Sequence, residues 1–146
     1  MPERPPLPAA APAVSTYLAF DFGTRRVGVA VGNTLTGNAR PLQSVAAQGD
    51  ARFAALGALI DQWQPAALVV GIPLHPDGAP HDNTHRAQRF ARQLHGRFRL
   101  PVHEVDERYS TTEALSDGAA DADAASAAII LNQFLREHTL RPPPDA

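Results

Sequence analysis

The chain contains neither cysteine nor lysine, and each absence narrows its possible chemistry. Without cysteine there is no disulfide framework, no thiolate nucleophile and no thiolate ligand for a metal. No apolar run approaches the roughly 18 residues that a membrane-spanning helix requires. The first 15 residues are rich in proline and alanine, but they lack the basic start and the apolar stretch of a signal peptide. We therefore expect a cytoplasmic protein that does not bind membranes.

Charge is nearly balanced overall but unevenly distributed. The formal net charge is −2, so total charge does not by itself indicate a nucleic-acid-binding protein. All 13 basic residues are arginine. Five arginines and no acid lie within 83–103, whereas seven acids and one arginine lie within 104–123. A basic face beside an acid-rich segment would suit a polyanion held close to bound cations, while the alternative for the arginines is a solvated helix face.

Length and hydrophobic periodicity predict one α/β domain. At 146 residues the chain is long enough for a substantial core. We predict a folded domain over 16–139, between disordered proline-rich tails at 1–15 and 140–146. Strands are predicted at 16–22, 26–32, 39–46, 66–72 and 101–105, and helices at 50–63, from an N-cap at Asp82, Asn83 or Thr84 to about Gly96, after Ser110, and at 121–138. These elements predict an antiparallel three-strand meander, joined to parallel strands and flanked by helices.

An acid at the end of the first predicted strand is the strongest sign of a functional site. Asp21 ends an apolar run and is followed by Gly23, Thr24 and Arg25. A carboxylate at the end of a buried strand is costly unless a metal ion or an arginine pairs with it. Glycine lets a ligand approach the backbone, and arginine suits an anionic ligand. The segment therefore predicts a site for phosphate and metal.

A second group of acids follows the last predicted strand. Asp106 and Glu107 come directly after it and are followed by Arg108. Ligands of open α/β sheets bind at the carboxyl ends of the strands, so these acids can meet Asp21 if the strands are parallel neighbours. The alternative is an exposed turn with a local ion pair to Arg108.

Helical phase selects a further acid. The last predicted helix carries a core-facing stripe, formed by Ala127, Ile130, Leu131 and Phe134. At 100° per residue, Asp123 falls within about 40° of this stripe, while Asp121 lies about 120° away. We therefore expect Asp123 to point at the sheet, where a lone carboxylate is unfavourable unless it is paired.

Carboxylates that converge in this way predict a site for Mg²⁺ or Mn²⁺. Both ions prefer hard oxygen ligands and leave positions for water and phosphate. Two such ions about 4 Å apart could activate a water and stabilise the leaving oxygen of a phosphodiester. Zinc is the alternative metal, because His81 and His85 are four residues apart and His75 is near, but no pattern fixes a further ligand.

Four motifs occur together in an order typical of one known family. They are Asp21-Phe22-Gly23-Thr24-Arg25 with Gly28, Val70-Gly71-Ile72-Pro73-Leu74 with Asp77-Gly78, Asp106-Glu107-Arg108-Tyr109-Ser110-Thr111, and Asp123 with Ala127-Ala128-Ile129-Ile130-Leu131. On these motifs, over about residues 17–138, the chain resembles the YqgF/RuvX family of pre-16S rRNA nucleases. Members of that family share an RNase H-like fold with Holliday-junction resolvases.

The resemblance implies a phosphodiester hydrolase that processes the 5′ end of the small-subunit rRNA precursor in the cytoplasm. It implies that Asp21, Glu107 and Asp123 are catalytic acids and metal ligands, with Asp106 beside them. Its expected partners are pre-rRNA and ribosomal particles, bound by a monomer or a homodimer. Apart from what the resemblance implies, we expect substrate contacts from the glycine- and arginine-containing segments, at Gly23, Thr24, Arg25, Arg86, Arg89 and Arg108.

The chain departs from this family in one place, and other functions remain open. The segment 116–122 is short and acidic, where similar proteins carry a longer stretch with glycine and lysine, so it is not expected to supply basic substrate contacts. The alternatives are a Holliday-junction-type DNA resolvase and a non-catalytic RNA-binding factor in ribosome assembly. The Asp-Phe-Gly-Thr motif also opens the phosphate-binding strand of actin- and sugar-kinase-like ATPases, but those clasp nucleotide between two such domains, and 146 residues supply one.

Overall fold

The computed structural model describes residues 14–74, 77–106 and 122–140, with side chains to residue 137. Within these ranges the chain forms five strands and three helices. In chain order they are β1 (Thr16–Phe22), β2 (Val27–Asn33), β3 (Ala39–Val45), α1 (Gly49–Trp63), β4 (Ala67–Ile72), α2 (Asp82–Phe98), β5 (Val102–Asp106) and α3 (Ala122–Leu140). None of the three helices is both long and apolar enough to cross a membrane.

The five strands form one mixed sheet in the order β3-β2-β1-β4-β5. The pairs β1–β2 and β2–β3 are antiparallel, which confirms the predicted meander. The pairs β1–β4 and β4–β5 are parallel, which confirms the second part of the prediction. The carboxyl ends of β1, β4 and β5 therefore lie along the same edge of the sheet.

The predicted bounds of the described elements agree with the structure to within two residues, and the difference that involves a specific side chain is at the start of α2. This helix continues past Gly96 to Phe98. Its N-cap is His81 and not one of the predicted candidates, because the His81 ring accepts a hydrogen bond from the Asn83 backbone N–H. Thr84 completes the capping box by accepting from the His81 N–H, and its hydroxyl donates to the Pro73 carbonyl. The predicted helix after Ser110 lies outside the described residues.

The two faces of the sheet carry different cores. On one face, α1 and α2 cover large side chains of the strands and contribute Phe53, Leu56, Phe90 and Leu94. On the other face, α3 is the helix of the described ranges that packs on the sheet, where it contacts β1, β2, β3 and β4. Small residues of the sheet and helix meet there, among them Ala19, Ala30, Ala67, Ala127 and Ala128. The predicted core stripe of the last helix is confirmed, since Ala127, Ile130, Leu131 and Phe134 are all buried.

Candidate acidic metal site

Asp21 lies within β1, opposite Gly28 of β2. Side chains alternate along a strand, so Asp21 shares a face with Tyr17 and Ala19. Those two residues pack in the α3 core, which places the Asp21 carboxylate under α3. Although it is polar, Asp21 is only partly exposed. The strand therefore directs this acid towards the start of α3.

Gly28 brings the first turn of α3 into direct contact with the sheet. A Cβ atom at this position would overlap the carbonyl group of Asp123 and lie 2.8 Å from the Ala124 nitrogen. Only glycine leaves room for the helix backbone at this distance. Because Gly28 is the cross-strand partner of Asp21, the same contact brings Asp123 beside Asp21. The structure thus brings together the two acids that sequence reasoning placed on separate elements.

The electrostatics of Asp21 reflect this arrangement. Burial raises the pKa of the Asp21 carboxyl from 3.8 to about 6, and the nearby negative charge of Asp123 also raises it. A hydrogen bond from Ser126 acts in the opposite direction and lowers the pKa. Ser126 is buried on α3, three residues after Asp123, so the two side chains lie on the same side of the helix. Two adjacent acids with so little compensation form a site that favours a cation.

Among the described residues, Asp123 has a cationic partner that sequence reasoning missed. The Arg26 Nε atom lies 3.0 Å from Asp123 Oδ2. Arg26 directly precedes β2, so it lies in the turn that follows the strand of Asp21. Both arginines of this turn suit an anionic ligand, but the sequence analysis named Arg25 alone as a substrate contact and did not pair Arg26 with Asp123. Since both are exposed arginines in the same turn, only the three-dimensional contact distinguishes them.

Side chains at the start of α1 hold the turn between β1 and β2 in place. Gly23 is required there, because a Cβ would lie 2.6 Å from the Arg26 carbonyl oxygen. The Gln48 side chain donates to the Arg25 carbonyl at 2.9 Å. Arg52 donates from Nη2 to the Thr24 carbonyl at 3.1 Å and from Nε to the Ala47 carbonyl at 2.9 Å. The predicted segment of Gly23, Thr24 and Arg25 is therefore a fixed turn beside the two acids.

Arg52 is an unusual residue for this task, because its side chain is buried. Its exposed fraction is 6%, and its guanidinium lies 5.7 Å from the centroid of the Phe22 ring. Burial lowers the pKa of Arg52 from its ordinary value. A buried cation is costly unless hydrogen bonds and a favourable ring contact compensate it. The two hydrogen bonds to backbone carbonyls compensate this cost, and one of them holds the Thr24 carbonyl in place.

The remaining predicted acids are placed less directly. Asp106 lies at the end of β5 in register with Ile72, so it reaches the same edge of the sheet as Asp21. Val105 belongs to the α3 core, and alternation therefore assigns Asp106 to the opposite face. Glu107 and Arg108 lie outside the described residues. The roles of these three residues stay predictions.

The predicted arginine face is present on α2. Arg86, Arg89 and Arg92 are exposed, and the buried side of the helix carries Phe90 and Leu94. Arg86 Nη1 donates to Asn83 Oδ1 at 3.1 Å, which ties it to the first turn. Because α2 follows β4 in the chain, its first turn lies at the edge of the sheet where Asp21 lies. The basic face therefore starts near this edge and extends away from it.

The donor set of Asp21 and Asp123 suits a hard divalent cation. Two partly buried carboxylates supply oxygen ligands and an excess of negative charge that Mg²⁺ or Mn²⁺ would neutralise. Within the described ranges, no three His, Cys, Asp or Glu side chains come together as a complete ligand set. The predicted additional ligand, Glu107, lies outside those ranges, as does His75 of the zinc alternative. His81 already uses its Nδ1 atom to cap α2.

Comparison with known proteins gives the family of the chain. The sequence model of a family named RuvX and described as Holliday junction resolvase matches residues 15–137. A protein named "Putative pre-16S rRNA nuclease" from Polaromonas sp. is 68% identical over 123 residues, which cover 84% of this chain and 89% of that protein. Its namesake from Albidiferax ferrireducens is 63% identical over 123 residues, covering 84% and 79%.

Solved structures give the fold. RuvC of Thermus thermophilus is similar with a TM-score of 0.52 and 14% identity, over 84% of this chain and 95% of that chain. The same protein in complex with a Holliday junction substrate gives a TM-score of 0.51, also at 14% identity, over 86% and 97% of the two chains. At this identity the likeness establishes the fold, which is the predicted RNase H-like fold. Since the family match spans nearly all of the described domain and the relatives are more than half identical, the chain belongs to the RuvX family.

Proposed function

We propose that this protein is a metal-dependent nuclease that hydrolyses phosphodiester bonds in the precursor of the small-subunit rRNA. The observation that carries the proposal is the meeting of Asp21 and Asp123 at Gly28. Membership of the RuvX family and the name of the similar bacterial proteins support a nuclease and indicate pre-16S rRNA as its substrate. Bacterial rRNA is made in the cytoplasm, so we propose that the protein acts there.

Each element of the site has a task in this proposal. Asp21 and Asp123, with Glu107 as a further ligand, would hold Mg²⁺ or Mn²⁺. When bound, the cation supplies a water of lowered pKa and neutralises charge on the phosphate. Ser126 keeps Asp21 oriented through its hydrogen bond. Asp106 contributes negative charge at the same edge of the sheet.

Substrate binding is assigned to the turn and the basic residues around the acids. Gly23 and Thr24 present backbone to the substrate, and Arg25 provides a cation at the same turn, which Gln48 and Arg52 hold in place. Arg86 and Arg89 on α2 extend this positive surface, and Arg108 adds a cation after β5. Such contacts to phosphate position the nucleic acid without reading its sequence. We propose that residues 16–139 form the whole catalytic domain.

The decisive experiment compares three aspartate variants on a labelled RNA that carries the 5′ region of the rRNA precursor. We expect Mn²⁺-dependent cleavage by the parent, and a loss of at least about 100-fold in Asp21→Asn and Asp123→Asn, as for removal of a group central to charge stabilisation. Asp61→Asn is the matched control, because Asp61 is an exposed acid on α1. It should cleave like the parent.

Two outcomes would contradict the proposal. If the parent binds the RNA without cutting it, the protein is an assembly factor that keeps the fold without the activity. If the parent cuts a four-way DNA junction and leaves the RNA intact, it is a DNA resolvase, as the family description states. Calorimetric titration with Mn²⁺ provides an independent measurement, in which Asp21→Asn should remove the binding isotherm.

A further inference from the structure

Arg26 and Asp123 form an ion pair that differs from the other arginine contacts of the site. Nε of Arg26 lies 3.0 Å from Oδ2 of Asp123, and the exposed fractions of the two side chains are 62% and 36%. Arg52, one element away, is buried and donates to two backbone carbonyls. Arg26 therefore has the freedom to leave its partner, while Arg52 does not.

The Arg26 contact uses an atom that a metal ion would need. A cation shared by Asp21 and Asp123 binds carboxylate oxygens, and the guanidinium already occupies Oδ2 of one of them. Either the arginine or a divalent cation can neutralise the excess of negative charge beside Asp21. Because exposed ion pairs are weak, breaking this contact costs little free energy.

We propose that Arg26 is an exchangeable counter-ion of the acidic site. It holds Asp123 when no divalent cation is bound, and it is released when the cation binds. Released from Asp123, its guanidinium lies in the same turn as Arg25 and is available to a phosphate group of the bound nucleic acid. The inference rests on the proposed metal site and adds a reciprocal coupling to it, in which cation binding increases the affinity for the polyanion and the polyanion increases the affinity for the cation.

The first test compares the affinity for Mn²⁺ of Arg26→Gln and Arg25→Gln by calorimetry at low ionic strength. Both variants remove one positive charge from the same turn, so long-range electrostatics changes almost equally. Only Arg26→Gln removes the competitor, and its Mn²⁺ affinity should rise about two- to fivefold above that of the parent, the range of a weak ion pair. Arg25→Gln should change the affinity less than about twofold.

The second test observes the exchange itself. In the metal-free protein, the Nε–H signal of Arg26 in a proton–nitrogen spectrum should be protected by its hydrogen bond to the carboxylate. Titration with Mg²⁺ should shift this signal and remove the protection, while the Nε–H signal of the buried Arg52 stays unchanged. Without a divalent cation, Arg26 is paired with Asp123, so Arg26→Gln should weaken the binding of a short RNA only slightly. In Mg²⁺, where Arg26 is released, the same substitution should weaken RNA binding more.

The outcomes separate this inference from the proposed function. Suppose that the parent binds Mn²⁺, that Asp21→Asn fails to bind it, and that Arg26→Gln binds it with the affinity of the parent. In that case the counter-ion role is wrong and the metal site stands. If the Arg26 signal keeps its protection in saturating Mg²⁺, the exchange does not occur. If the parent binds no divalent cation at all, both the metal site and the exchange are wrong.

Discussion

The two faces of the sheet are packed in different ways. Against α1 and α2, the strands present large side chains such as Leu18, Phe20 and Val70, which are fully buried. Against α3, several facing positions are small and include Ala19, Gly28 and Ala30, while Tyr17 and Val69 are larger residues that pack on the same face. Large side chains keep helix axes at a distance, while small ones let the backbone of a helix approach. The packing of α1 and α2 therefore mainly contributes stability, whereas the packing of α3 brings the helix backbone close to the sheet.

The acids lie on the face where the helix backbone comes closest. Asp21 points under α3, and the contact at Gly28 sets the position of Asp123. The comparison implies that substitutions of apolar core side chains on the face of α1 and α2 alter stability without altering the positions of Asp21 and Asp123. Substitutions on the α3 face should alter both, and in some cases in opposite directions.

The largest expected effect is a loss of stability on the face of α1 and α2. Leu94→Ala removes a fully buried side chain from α2. We expect the free energy of unfolding to fall by about 2–5 kcal/mol, from lost burial and the cavity left behind. Denaturant titration measures this change. The Mn²⁺ affinity of the folded variant should match that of the parent within about twofold, and a larger change would mean that the two faces are coupled.

Asp21→Asn should stabilise the metal-free protein while it removes metal binding. Since the pKa of Asp21 is raised from 3.8 to about 6, folding favours the protonated acid. The parent therefore gains stability as the pH falls from above 6 towards 4, and asparagine, which is always neutral, has this gain at every pH. At pH 8 and with a chelator present, the free energy of unfolding of Asp21→Asn should exceed that of the parent by up to about 3 kcal/mol. This figure follows from a pKa difference of about two, at about 1.36 kcal/mol for each pKa unit.

The control for this prediction is the same measurement at acidic pH. Near pH 4 the carboxyl of the parent is largely protonated when folded, and most of the difference between parent and variant should disappear. A pH-independent difference in thermal unfolding would show that the substitution acts through packing and not through charge.

Gly28→Ala tests the close approach of α3. The added Cβ overlaps the Asp123 backbone, so the first turn of the helix must move away from β2. We expect a loss of about 1–3 kcal/mol in the free energy of unfolding, as for overpacked cores. The Mn²⁺ affinity should fall by about tenfold or more, since carboxylates sharing a cation must be held within about 0.5 Å of their geometry. An unchanged affinity would contradict the role given to this contact.

The smallest effect is expected at Gly96, which serves as the matched glycine control. It lies exposed on α2, and a Cβ there would meet no atom within 4 Å. Gly96→Ala should increase stability by about 0.5–1 kcal/mol through helix propensity alone. Thermal unfolding measures the shift, and both metal affinity and cleavage should equal those of the parent.

Much of the fold could be predicted from the sequence because the relevant signals are local. Alternating and continuous apolar runs define the strands, and the short turn after Asp21 requires antiparallel pairing with β2. Helical phase identified Asp123, because the core stripe of α3 continues into its first turn. The motif resemblance then supplied the RNase H-like fold, which the RuvC structures confirm.

The parts of the site that the sequence did not predict depend on contacts between distant elements. Arg25 and Arg26 are adjacent and chemically identical, and only the position of α3 makes Arg26 the partner of Asp123. Ser126 looks like an ordinary small core residue of a helix. Arg52 reads as a surface residue of an amphipathic helix, and its burial follows from the path of the β1–β2 turn above it.

The buried guanidinium of Arg52 has a consequence for how this protein responds to selection. An apolar side chain at this position would remove the cost of burying a charge, so variants chosen only for heat resistance should accumulate such a replacement. The Thr24 carbonyl would then lose its donor, and the turn that carries Arg25 and Arg26 would sample more conformations. A gain in stability would thereby be accompanied by weaker binding at the proposed substrate contacts, through a residue that is not one of those contacts.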